Sequence, residues 1–220
     1  MVLLRHGRTA WNAEHRFQGQ ADPPLDDVGR AQAAEVAGVV AAMRPDLLVS
    51  STAARAVQTA AVVADATGLQ LRTDPRLVER GLGHWEGLTM DEVAARFPDE
   101  YAEWAAGQDV TRRGGETREA VAARACAAFA DLPSVELTVL VSHGATTMAL
   151  TNALLGLPQR THLLGPLANC HWTELYTEPQ RDGVDGAPRW RLRAHNVGVP
   201  STTAVPPEPE EDAQASDADA

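Results

Sequence analysis

The sequence predicts an α/β fold built on a mostly parallel central sheet. Three observations carry this expectation. Val2-Leu3-Leu4, Asp46-Leu47-Leu48-Val49-Ser50 and Val139-Leu140-Val141-Ser142 are short, nearly unbroken apolar runs, the pattern of strands covered on both faces. Helix-like stretches stand among them, at about 25–43, 52–67 and 116–132. Each run also stops at residues that carry chemistry: Arg5-His6-Gly7, Ser50-Ser51 ahead of Arg55, and His143-Gly144. In open α/β sheets, ligands bind at that edge.

The elements follow in order. The first strand ends at Gly7, where a glycine lets the backbone turn sharply. Residues 11–20 read as a loop with polar side chains at Thr9, Asn12 and Gln18. A helix opens at Leu25-Asp26-Asp27 and runs to about Met43, with Asp26 as N-cap and Pro45 beyond its end. The second strand feeds a helix over about 52–67 that Gly68 closes. Arg55 lies in its first turn, where free N–H groups and the helix dipole favour an anion. Leu69 to Arg72 alternates like a strand. Glu79 follows among apolar residues, ahead of Gly81, Gly83 and Gly87. A partly buried carboxyl with apolar neighbours can hold its proton near neutral pH. Glu86 is the rival carboxylate. Thr89 to Glu92 matches a capping box and opens a short helix that Pro98 breaks. Residues 99–107 read as a second short helix with Trp104, and Gly114-Gly115-Glu116 as a turn into the long Ala-rich helix to Leu132. The third apolar strand ends at His143, and residues 145–155 form a mostly apolar helix. His171–Tyr176 and Trp190–Ala194 alternate like strands and are expected to pair as an edge hairpin across the loop at 182–188. Residues 198–220, rich in Pro, Ala and acids, are expected to form a disordered acidic tail.

A chain of 220 residues, 44% apolar, fits one domain with a large core. Its net charge of -11 argues against a general nucleic-acid partner. The tail from Gly198 onward holds six acids and no Lys or Arg; without those six charges the net is -5. A mildly acidic body can hold a basic pocket. Cys126 and Cys170 have no ligand spacing, which suits free thiols in a reducing compartment. Arg5 and His6 interrupt the N-terminal apolar run, and no run approaches a membrane span. The expectation is a soluble, cytoplasmic protein without a membrane partner.

Three strand ends thus deliver His6 with Arg5, Arg55 and His143. Two histidines and two arginines suit a tetrahedral dianion, because the guanidinium fork matches phosphate oxygens. His15, His84, His162, His171 and His195 lack metal-ligand spacing, and no metal is assigned.

The ordered set Arg5-His6-Gly7 with Thr9 and Asn12, Ser50-Ser51 with Arg55-Ala56 and Gln58-Thr59, Glu79, Gly83-His84-Trp85-Glu86-Gly87, Gly114-Gly115-Glu116 and Ser142-His143-Gly144 resembles the histidine phosphatase superfamily, also called phosphoglycerate-mutase-like. The resemblance covers about residues 2–196. It implies a three-layer α/β/α sandwich over residues 1–197, with about 84–115 inserted over the active-site edge. It further implies metal-independent phosphomonoester hydrolysis through a phosphohistidine, with no cofactor and a small phosphorylated metabolite as partner; a homodimer is left open. His6 would be the nucleophile and Glu79 the proton donor. Arg5, Arg55 and His143 would hold the phosphate, with Thr9, Asn12, Gln18 and Gly144 in the substrate pocket. The run Arg80 to Gly87, and Ala145 after His143-Gly144, look like the phosphatase branch rather than the mutases. Within that branch, Phe17-Gln18-Gly19-Gln20, Asn169, Trp172–Leu175 and Trp190-Arg191-Leu192 are similar to the actinobacterial glucosyl-3-phosphoglycerate phosphatases. A phosphoglycerate mutase, an α-ribazole phosphate phosphatase, a broad-specificity phosphatase and a weakly catalytic regulatory module stay open as alternatives. The last is disfavoured because nucleophile, arginines and acid are all present.

Overall fold

The computed structural model describes residues 1–161, 163–178 and 189–199. Strands β1 (Val2–Arg5), β2 (Leu47–Ser51), β3 (Leu71–Asp74), β4 (Thr138–Ser142), β5 (Trp172–Thr177) and β6 (Trp190–Val197) form one sheet in the order β3-β2-β4-β1-β5-β6. The first four are parallel, and β5 and β6 are antiparallel to their neighbours. The seven helices among the described residues are α1 (Ala10–Ala13), α2 (Asp27–Ala42), α3 (Ala54–Thr67), α4 (Met90–Arg96), α5 (Pro98–Ala105), α6 (Arg118–Ala130) and α7 (Gly144–Leu155).

The apolar runs are unbroken because both sheet faces are buried. Val2, Leu4, Leu48, Val139 and Val141 point to one face and pack with Val36, Val40, Ala60 and Val63 of α2 and α3. Leu3, Leu47, Val49 and Leu140 point to the other and meet Ala125, Ala128 and Leu150 of α6 and α7. Those are the three layers.

Asp26 caps α2 by accepting from Gly29 N at 2.7 Å, and Thr89 with Glu92 forms the expected capping box of α4. Ala10–Ala13, which overlaps the start of the loop expected at 11–20, is instead a single helical turn. Thr9 and Asn12 cap it reciprocally, which satisfies donors that Trp11 and Asn12 have little intrinsic tendency to order. The third strand lies at Leu71–Asp74 rather than 69–72, because β2 sets its register through Leu48 opposite Leu71. β6 runs on to Val197, and Val199 still packs on the α2/α3 face, past the boundary expected at 197. The hairpin loop expected at 182–188, His162 and the tail from residue 200 onward lie outside the described residues.

Leu82, Trp85, Val93, Trp104 and Val110 of the segment between β3 and α6 form a separate cluster with Phe17 of the loop before α2. Arg113, buried, stacks 4.8 Å over the Trp85 ring. Gly83 has φ +59, and a Cβ there would lie 1.9 Å from the Arg113 carbonyl oxygen, so only glycine fits. Asp109 ties the segment to the main body by accepting from Arg80 at 2.5 Å and Arg118 at 2.9 Å. Among the described residues, no helix is long and apolar enough to cross a membrane.

Candidate active site

β1 and β4 pair in register, with Arg5 opposite Ser142, so His6 and His143 leave the sheet side by side. Their ring centroids are 5.1 Å apart, edge to face. His6 is 2% exposed and His143 fully buried.

His6 Nδ1 lies 2.7 Å from the Gly7 carbonyl. A carbonyl only accepts, so Nδ1 carries the proton and Nε2 the lone pair. Arg55 Nε donates to that Nε2 at 3.3 Å. Burial, then Arg55 and Arg5, hold the His6 pKa well below its ordinary value; the ring is neutral near pH 7 and its Nε2 is available as a nucleophile. The same causes, with His6 itself, hold His143 low. His143 Nε2 lies 2.8 Å from Ser51 Oγ, and its Nδ1 is buried without a partner.

The two arginines are anchored by backbone. Arg5 Nη1 donates to Leu167 O at 2.6 Å. Arg55 donates from Nη1 to Ala21 O and from Nη2 to Gly19 O, at 2.7 and 2.9 Å. Each terminal nitrogen of Arg55 carries a second N–H besides the one given to the backbone.

Gly7 is required for closeness rather than for the turn. A Cβ at Gly7 would lie 2.5 Å from Gly29 O, and one at Gly29 would lie 2.0 Å from Arg8 O. The first turn of α2 therefore presses on the loop after His6. Gly7 N donates to Thr59 Oγ1 at 3.0 Å, and Asn169 Nδ2 to His6 O at 3.0 Å.

The apolar neighbourhood expected for Glu79 is corrected by the structure. Its carboxylate sits over the N-terminus of α7, whose first N–H groups lack helical partners. Oε1 accepts from Arg80 N, Thr146 N and Thr146 Oγ1 at 2.8, 3.1 and 3.2 Å; among the described residues Oε2 accepts only from Ala145 N, at 3.2 Å. Arg124 fixes the preceding backbone by donating to the carbonyls of Arg76, Val78 and Glu79 at 2.7, 2.6 and 3.0 Å. Glu86, the rival, accepts from Gln20 N and Leu82 N and braces the loop.

A cavity of about 690 Å³ opens over this centre. Arg5, His6, Arg55, Glu79, Gln18 and Gly144 line it; the fully buried His143 does not, and neither do Thr9 and Asn12. Those two are buried beneath it, bonded to each other and, through Thr9 Oγ1, to Gln18. Trp104, Arg118, Asn152, Gln159 and Arg160 line the remainder. Cys126 and Cys170 are free, and burial pushes the Cys170 thiol up to about 12. Among the described residues, no cluster of three His, Cys, Asp or Glu could hold a metal ion.

Sequence reasoning gave no role to Ser51, Thr59, Arg124, Thr146 or Asn169. Ser51 and Thr59 lay inside motifs already singled out. Arg124 is one arginine on an Ala-rich helix face, and only the fold reveals the carbonyls it meets.

The family model for the histidine phosphatase superfamily (branch 1) matches residues 1–186. The chain belongs to that superfamily. This histidine phosphatase is a phosphoric monoester hydrolase. It is 40% identical over 213 residues to a glucosyl-3-phosphoglycerate phosphatase of Mycolicibacterium vanbaalenii, covering 90% of this chain and 95% of that one. It is 37% identical over 174 residues to a probable phosphoglycerate mutase of Yersinia pestis, covering 77% and 81%. The solved mycobacterial glucosyl-3-phosphoglycerate phosphatase in complex with VO3 superposes with a TM-score of 0.80 at 38% identity, over 90% of this chain and 98% of that one.

Proposed function

We propose that this histidine phosphatase hydrolyses glucosyl-3-phosphoglycerate, or a close glycosylated phosphoacid, through a phosphohistidine on His6. The observation that carries the substrate reading is the extent of the cavity. At about 690 Å³ it lies within the range of about 300–1,000 Å³ that encloses a drug-sized ligand. It continues from the nucleophile to the amides of Asn152 and Gln159 and to Arg118 and Arg160. Guanidinium groups suit a carboxylate and amides suit sugar hydroxyls. The names of the mycobacterial relatives support the same reading.

His6 Nε2 attacks phosphorus, and the bond from phosphorus to the ester oxygen breaks. Arg5, Arg55 and His143 stabilise the non-bridging oxygens as charge shifts in the transition state. Glu79 gives the departing oxygen a proton and later takes one from the water that attacks the phosphohistidine. The P–N bond then breaks, its electron pair returns to Nε2, and inorganic phosphate leaves. The proton passes through Glu79 Oε2, because Oε1 already accepts from three donors. A phosphorylated metabolite as substrate supports a cytoplasmic location.

The test is phosphate release from glucosyl-3-phosphoglycerate, 3-phosphoglycerate, α-ribazole phosphate and an aryl phosphate, without added metal. Strong preference for the glucosylated ester is expected. His6→Ala is expected to abolish turnover and the acid-labile phosphoenzyme. Even, slow cleavage of all four would reject the substrate, and full activity in His6→Ala would reject the nucleophile.

A further inference from the structure

The chemistry above gives Ser51 no part, although its hydroxyl is one of the contacts that hold His143. Ser51 ends β2, fully buried, at the level where β2 pairs with β4 through Ser50 opposite Val141 and Val49 opposite Leu140. Its Oγ lies 2.8 Å from His143 Nε2. The same oxygen accepts the Ala53 N–H at 3.2 Å. Among the described residues, the hydroxyl proton has no acceptor in reach other than that Nε2. On the far side of the ring, Nδ1 is sealed from solvent and unpartnered, beside His6 and under the influence of Arg5 and Arg55.

A neutral imidazole has one proton for two nitrogens, and its partners decide which holds it. If Nε2 held it, Ser51 would be left with an unplaced proton and Nδ1 would present a lone pair to an anion. Both are unfavourable in a dry site.

We propose that Ser51 is a positioning residue whose hydroxyl donates to His143 Nε2, pinning the ring in the Nδ1–H tautomer so that Nδ1–H stands ready for a phosphoryl oxygen. The donor chain runs from Ala53 N–H through the Ser51 hydroxyl and His143 to the substrate. His6 is held in the same tautomer by the opposite device. There a carbonyl takes the Nδ1 proton and leaves Nε2 bare for attack. A donor beneath one histidine and an acceptor beside the other thus give two neighbouring rings two different tasks. The proposal rests on reading His143 as a phosphate-holding group.

The test is the long-range ¹⁵N–¹H spectrum of the intact protein with labelled histidine at pH 7, with His143 assigned by its loss in His143→Gln. The expected result is a protonated Nδ1 and a bare Nε2, with and without inorganic phosphate. Ser51→Ala is expected to move His143 toward the Nε2–H form and to lower kcat/KM by about tenfold or more, a fraction of the roughly 10²–10³ that one oxyanion donor is worth. Ser51→Ala placed on top of His143→Gln is expected to cost nothing further. An Nε2–H or doubly protonated His143 in the unmodified protein overturns the proposal, whether or not Ser51→Ala folds. So do additive losses in the double variant. Full turnover in His143→Gln would reject the phosphate-holding role itself, and the tautomer argument with it.

Discussion

A carboxyl that delivers a proton needs one oxygen left open to do so. At Glu79 the asymmetry is plain: Oε1 receives three donors and Oε2 a single backbone N–H. Replacing the acid by its amide keeps the shape and removes the transferable proton. Glu79→Gln is therefore expected to slow alkyl phosphates by about 10²–10⁴-fold, the usual worth of general acid–base catalysis. Aryl phosphates, whose leaving groups need little protonation, should lose far less. Rates against leaving-group pKa for both proteins would check this; parallel lines would assign the proton to another group. The expectation of an apolar pocket around Glu79 came from its sequence neighbours. What surrounds it in space is the start of α7, which a one-dimensional reading cannot bring to residue 79.

Among the elements, α6 acts on chemistry it does not touch. Arg124 holds three carbonyls of the segment leading into Glu79 and is itself oriented by Glu116, at 2.8 and 2.9 Å. Arg124→Met keeps the stem and removes the donors. It is expected to lower kcat by tenfold or more through a displaced Glu79, and to cost about 2–3 kcal/mol of stability from lost charge-assisted bonds. Urea unfolding and steady-state kinetics on one preparation would separate the two effects. Unchanged kcat with lowered stability would make Arg124 a purely structural residue. The elements were legible where local chemistry decides them: the apolar runs of β1, β2 and β4, the Asp26 cap, and the capping box at Thr89. They were missed where pairing decides. β3 slid to match β2, and the turn at Ala10–Ala13 exists through a reciprocal bond between Thr9 and Asn12. The same pair, expected in the pocket, turns Thr9 Oγ1 and Asn12 Oδ1 toward each other beneath the floor.

At the scale of the whole molecule, burying two histidines couples the site to stability. Their folded pKa values lie well below the ordinary 6.5, chiefly through burial. Between those low values and about 6.5 the unfolded chain binds protons that the folded one does not. Stability is therefore fully present above about pH 6.5 and falls as pH drops through that value, by up to about 1.4 kcal/mol per pH unit for each histidine. Melting temperatures between pH 7.5 and 5.5 should fall, and less steeply in His6→Gln; equal slopes would contradict the coupling. The central place of β1 has a different consequence. β1 precedes every other strand of the sheet along the chain, yet lies between β4 and β5, which are made much later. Until then it is a short apolar ribbon with two bare edges, carrying its histidine into no pocket. The nascent enzyme must carry its nucleophile unhoused, so translation order, rather than any single contact, sets when catalysis can first begin.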